Sequence, residues 1–200
     1  MKTFRLFAVV LLIAGGSFTC RDLYLHAKAR LAGVLIRQAW ERSLKTGRPQ
    51  APWAWADTHP VARLHIPRLG YDEFVLEGAA PRTLAFGPAR IQSGTAMGKP
   101  GNLVLAGHRT SWFRGLENIA QSDRIELEWF DAHGALHLRT YEVKAIWIVD
   151  PKDTAMLAPT PQDVLTLITC YPFGRSPYSP QRFIVRAVPL GMARLSEHNA

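Results

Sequence analysis

The chain contains only two cysteines in 200 residues. That scarcity excludes a disulfide framework as the source of its stability. Cys20 closes an apolar run near the N-terminus and Cys170 stands far from it, so Cys170 reads as a free thiol. There is no CxxC pair and no Asp/Glu cluster suited to calcium. His65, His133 and His137 alternate with apolar residues or flank Gly134 and read as strand or turn positions. No metal and no cofactor is therefore expected. Internal repeats and low-complexity tracts are also missing, and no helix-turn-helix, zinc-finger or RNA-module signature is present.

Acidic residues are scarce at the front of the chain. Of the net +8, residues 1–48 carry +7, from nine Lys and Arg against Asp22 and Glu41. Only +1 is left for everything from Pro49 onward. A nearly neutral main domain has no electrostatic footprint for a phosphate backbone, which argues against nucleic acid as a partner. With 48% apolar residues, 200 residues suffice for one domain with a real core and an appendage.

The appendage comes first. Lys2 and Arg5 precede the apolar run Leu6 to Phe18, the order of a basic then apolar export segment. Fifteen uncharged residues lie between Arg5 and Arg21. As a helix they reach roughly 22 Å against a hydrocarbon core of ~30 Å, so a span needs snorkelling ends. Residues 1–20 are read as an uncleaved signal-anchor of the cytoplasmic membrane, with the remaining chain on its extracytoplasmic side. Residues 21–48 read as a basic amphipathic helix, with Leu23, Ala27, Leu31, Val34 and Leu35 on one broad face. That face suits packing on the domain that follows. A basic helix lying on anionic headgroups is a compatible second reading. Thr46 to Pro52 stops the helix and opens a linker, taken as 49–59.

From Pro60 the pattern changes to short apolar runs punctuated by Gly and Pro: residues 62–67, 74–76, 102–106, 124–129, 136–149, 164–169 and 182–188. Such spacing predicts a mainly β domain, closed or sandwiched, over 60–190, with a tail at 191–200. Brief helices are expected near Thr83 and from Trp112 to Ile119. Polar residues able to act together stand at strand ends: His108 after Leu103 to Gly107, Cys170 after Val164 to Thr169, and Arg182 before Phe183 to Val188. Each has an ordinary reading, since a Cys after an apolar strand is commonly a small core residue. Together they match the needs of acyl transfer: a nucleophile, a proton carrier and an oxyanion donor.

Thr166-Leu167-Ile168-Thr169-Cys170 fits the TLxTC signature of the sortases at every specified position. Ala106-Gly107-His108-Arg109 resembles the segment carrying the sortase histidine, and Arg182 to Ala187 the final strand that opens with the sortase arginine. Leu64 to Gly70 and Pro100-Gly101-Asn102 extend the resemblance from about Pro60 to Pro189. Cys170-Tyr171-Pro172-Phe173 and the helix before the domain look most like sortases of Gram-negative bacteria.

The resemblance implies an eight-stranded barrel and a cysteine transpeptidase, with Cys170 as nucleophile, His108 as general acid/base and Arg182 stabilising the oxyanion. It implies as partners an exported protein with an LPxTG-like C-terminal sorting signal, and an amine acceptor. Arg186 shares the strand parity of Arg182 and is the reserve for its role. Thr169, Tyr171, Pro172 and Phe173 are candidate substrate contacts, with local packing as the alternative for the last three. Two other functions fit the same residues: a hydrolytic cysteine peptidase on this fold, and a non-catalytic, membrane-tethered β-barrel binding module in which Cys170 is merely buried.

Overall fold

The computed structural model describes residues 27–174 and 180–193; the anchor at 1–20, Cys20 and the tail beyond 193 lie outside the described residues. Helix α1 covers residues 27–46. The strands are β1 (Pro60–Ile66), β2 (Tyr71–Glu77), β3 (Ala89–Arg90), β4 (Asn102–Ala106), β5 (Arg124–Phe130), β6 (Leu136–Val149), β7 (Val164–Tyr171) and β8 (Gln181–Ala193). They close into one barrel in the order β1-β2-β3-β4-β7-β8-β6-β5. A one-turn helix α2 (Pro81–Leu84) and 3-10 turns at Pro67–Leu69, Arg114–Asn118 and Ala155–Leu157 fill the connections. Residues 191–193 extend β8 and are not tail.

Period-two alternation builds the barrel. In β1, Ala62, Leu64 and Ile66 are fully buried while Val61, Arg63 and His65 are only partly covered, the signature of a strand with one face in a core. Leu103 and Leu105 of β4, Leu165 and Leu167 of β7, and Phe183 and Val185 of β8 join the same core. Odd-numbered residues of these three strands therefore face inward, and even-numbered ones face out.

Two features differ from the sequence reading. Strand β3 is only two residues long, paired parallel to β2 and antiparallel to β4, too short for any alternation to register. The second concerns α1. Leu31 and Val34, placed on its packing face by their spacing, are 58% and 52% exposed. The buried stripe is Ala32, Ile36, Ala39, Trp40 and Ser43. Trp40 decides it: its ring lies 5.2 Å from that of Phe130 and 5.8 Å from that of Phe74. Small residues beside it let the helix approach the sheet, and the Ser43 hydroxyl donates to Ala39 while accepting from the Gln50 amide. Among the described residues, no helix is long and apolar enough to cross a membrane.

Truncating Trp40 tests this orientation. Trp40→Ala is expected to cost ~3–5 kcal/mol in urea unfolding, whereas Val34→Ala should stay within about 0.5 kcal/mol of the parent. Equal losses would contradict the buried stripe.

Candidate active site

Strand direction gathers the polar residues. β4 runs parallel to β7, with Ala106 opposite Ile168, so the C-terminal ends of both strands reach the same rim. β8 runs antiparallel to β7, so its beginning reaches that rim too. Cys170 is directly paired with Arg182. Side chains of such pairs leave the backbone ~4.5–5.5 Å apart on one face. Ile168, Cys170, Arg182 and Ile184 all belong to the outward-facing set. Arg186 pairs with Thr166, four residues down the strand and therefore ~13 Å from Cys170 along it.

His108 enters from the other side of β7. The β4–β7 ladder continues one bond past β4, with the Gly107 amide donating to the Ile168 carbonyl at 3.2 Å. One residue later the chain leaves the ladder beside Cys170, and His108 is exposed there. Its carbonyl accepts from the amides of Phe113 and Ser111, which turns the chain away immediately after the imidazole. Cys170 is half-buried with a free thiol. The Arg182 guanidinium, also half-buried, donates to the Gln181 carbonyl at 3.1 Å. A thiol thus lies on the outer barrel face between an imidazole on one neighbouring strand end and a guanidinium on the other.

Several residues fix this arrangement from within. Thr169 points inward, is 3% exposed, and donates its hydroxyl to the Gly107 carbonyl at 2.7 Å. It holds the histidine segment and has no surface to offer a peptide lying outside. Both polar groups of Gly107 are therefore bound to β7. A Cβ at position 107 would stand 2.7 Å from the ring of Phe113, which is fully buried; only glycine permits that approach. Buried Arg109 donates to the Pro172 carbonyl and so ties the segment after His108 to the one after Cys170. Tyr171 and Phe173 pack around Phe183, with ring centroids 6.3 and 5.0 Å away. They cap the core under the rim, Tyr171 from the last position of β7 and Phe173 two residues beyond it.

Farther along the outer face, Asn102 and Arg186 hold the β6–β7 connection. The Asn102 amide donates to the carbonyls of Met156 and Ala158, and its oxygen accepts from Thr166 at 2.6 Å. Arg186 donates to the same Met156 carbonyl at 2.8 Å, and its guanidinium lies over the Trp147 ring. Desolvation pushes the Arg186 pKa down from its usual value. The positioning roles of Thr169, Arg109 and Asn102 were not readable in the sequence, although each sits in a segment quoted above: TLITC, AGHR and PGN. What marked them was their place beside a chemical residue, not any pattern of their own. Among the described residues, no three His, Cys, Asp or Glu side chains gather as metal ligands.

Comparison with known proteins gives a concordant result. Residues 64–190 match the Sortase domain. The chain is 29% identical over 123 residues to Sortase D of Bacillus subtilis, covering 61% of this chain and 60% of that protein, so it spans less than two thirds of the relative's length. Among solved structures it resembles a Sortase D5 transpeptidase of Clostridium perfringens, with TM-score 0.65 and 18% identity over 81% of this chain and 99% of that one. It also resembles Sortase A of Corynebacterium diphtheriae, with TM-score 0.61 and 28% identity over 71% of this chain and 66% of that one. The expected likeness to sortases of Gram-negative bacteria is not supported, because the relatives found are Gram-positive sortases.

The Gly107 approach makes a direct prediction. Gly107→Ala should force Phe113 or the histidine segment to move, lowering stability by ~1–3 kcal/mol. It should also slow reaction of Cys170 with a peptide substrate more than reaction with a small alkylating agent. Unchanged melting and turnover would show that the contact is not tight.

Proposed function

The chain belongs to the sortase family, and from that premise we propose that it is a cysteine transpeptidase acting on exported proteins that carry an LPxTG-like sorting signal. The observation that carries the reading is the three-strand register: Arg182 paired with Cys170 across β8, and His108 leaving the ladder beside Cys170 across β4.

In the proposed cycle the Cys170 thiolate attacks the threonine carbonyl of the sorting signal. The forked, permanently cationic Arg182 hydrogen-bonds the oxygen as negative charge develops on it. Protonated His108 gives its proton to the departing amine, and the carbonyl carbon remains bound to sulfur as a thioacyl-enzyme. Neutral His108 then removes a proton from the incoming amine, which attacks the thioester and frees the thiol. Water in place of the amine would give hydrolysis. Residues 1–20, as a signal-anchor, would keep the site beside substrates that are themselves membrane-held during export, raising their effective concentration. Arg182 is preferred to Arg186 because of the register and because Arg186 is engaged with Met156 and Trp147.

Turnover of a sorting peptide with an added amine, followed by mass spectrometry, tests this. Cys170→Ala should be inactive. Loss of one oxyanion donor typically costs ~10²–10³ in kcat, so Arg182→Ala should fall in that range while Arg186→Ala loses far less. The reverse order would move the role to Arg186, and product that never incorporates the amine would favour the peptidase reading.

A further inference from the structure

Helix α1 and the linker present an apolar surface that the barrel does not use. Leu31 and Val34 stand out from α1, and Trp55 in the linker is 85% exposed. Leu31 and Trp55 border one groove of about 390 Å³, floored by Ala32, Leu35, Trp53 and Phe86. Isolated exposed leucines are ordinary, but a contiguous patch containing a nearly naked tryptophan marks a contact surface. Its surroundings are basic: between residues 27 and 58 there are six Lys and Arg and only two carboxylates, Glu41 and Asp57. Asp57 is already paired with Arg82. Lys28 lines the groove, and Arg30 and Arg37 are exposed on the same helix, Arg37 with its guanidinium over the Phe74 ring.

We propose that this face docks the folded domain on an anionic phospholipid surface, with Leu31, Val34 and Trp55 entering the headgroup boundary and the flanking Lys and Arg meeting lipid phosphates. Interfacial helices combine exposed apolar side chains with basic flanks in this way, and tryptophan favours the depth where its ring is apolar and its N–H is wet. Charge complementarity selects lipid over a second copy of the chain, whose matching face would carry the same positive charge. The chain order agrees, since the apolar run Leu6 to Phe18 lies a few residues before α1. A second hollow, between Ala29, Phe86 and Trp112, shares Lys28 and Ala32 with the groove. Trp112 is four residues beyond His108, so docking would set the bilayer beside the segment that carries the imidazole.

The inference goes with the anchor reading of residues 1–20 but is separable from it. The full chain is reconstituted into vesicles with bromine on the acyl chains, and Trp55 emission is taken as the difference between the chain and Trp55→Phe. Emission should be quenched when phosphatidylglycerol is present and recover in phosphatidylcholine alone. In the double variant Lys28→Glu, Arg30→Glu, each lost positive charge should lower the docked-to-undocked ratio by roughly fivefold, with turnover of a soluble peptide unchanged. Absence of quenching in anionic vesicles overturns the proposal. So does quenching that survives in neutral lipid or is undiminished in the double variant. Trp55 shielded from an aqueous quencher yet untouched by bromolipid overturns it as well and assigns the face to the chain's N-terminal residues or a second copy. Flotation with neutral vesicles reports the anchor independently: failure there, with quenching intact in anionic lipid, removes the anchor and leaves the docking face standing.

Discussion

The chemistry proposed for this protein depends on the hydrogen-bond ladder of β7. Its parallel pairing with β4 and antiparallel pairing with β8 bring residues from three distant parts of the chain to one rim. No side-chain interaction among His108, Cys170 and Arg182 is needed to assemble them. The backbone does it, and the inward-facing apolar residues of the same strands hold the register, since a slip of one residue would turn every core side chain outward. The candidate site thus occupies the outward face at the ends of three strands whose inward face fills the barrel core.

That division explains why an inward residue such as Thr169 matters to the outer face. Its hydroxyl and the Ile168 carbonyl bind both polar groups of Gly107. The peptide units on both sides of Gly107 are thus held in a buried environment, where an unmade hydrogen bond would be costly. Arg109 adds a tether on the far side of the histidine. The imidazole is exposed, but the backbone beneath it is fixed from both directions.

Much of this was legible in the sequence. Seven strands showed themselves as apolar runs, and the motif around Cys170 with His108 and Arg182 in order pointed to the rim where the register gathers them. Three things were hidden for definite reasons. β3 is shorter than the period that would reveal it. The packing face of α1 is carried by Ala32, Ile36, Ala39, Trp40 and Ser43, a stripe of mostly small residues, while the aliphatics Leu31 and Val34 lie outside it. Arg182 and Arg186 have identical parity, so no pattern along one strand can rank them; the ranking comes from which residue of β7 lies across from each, a fact about two strands at once.

The direct pairing of Cys170 with Arg182 has a consequence for how such a protein can diversify. The chain leaves the ladder after Tyr171 and returns at Gln181, so the intervening loop begins and ends at a pair already clasped. Insertions or replacements beyond Pro172 would leave the pairing of Cys170 with Arg182 in place, because both residues lie inside the ladder. The spacing of thiol and guanidinium is in this sense inherited with the barrel, while the sequence of the loop can drift without disturbing it.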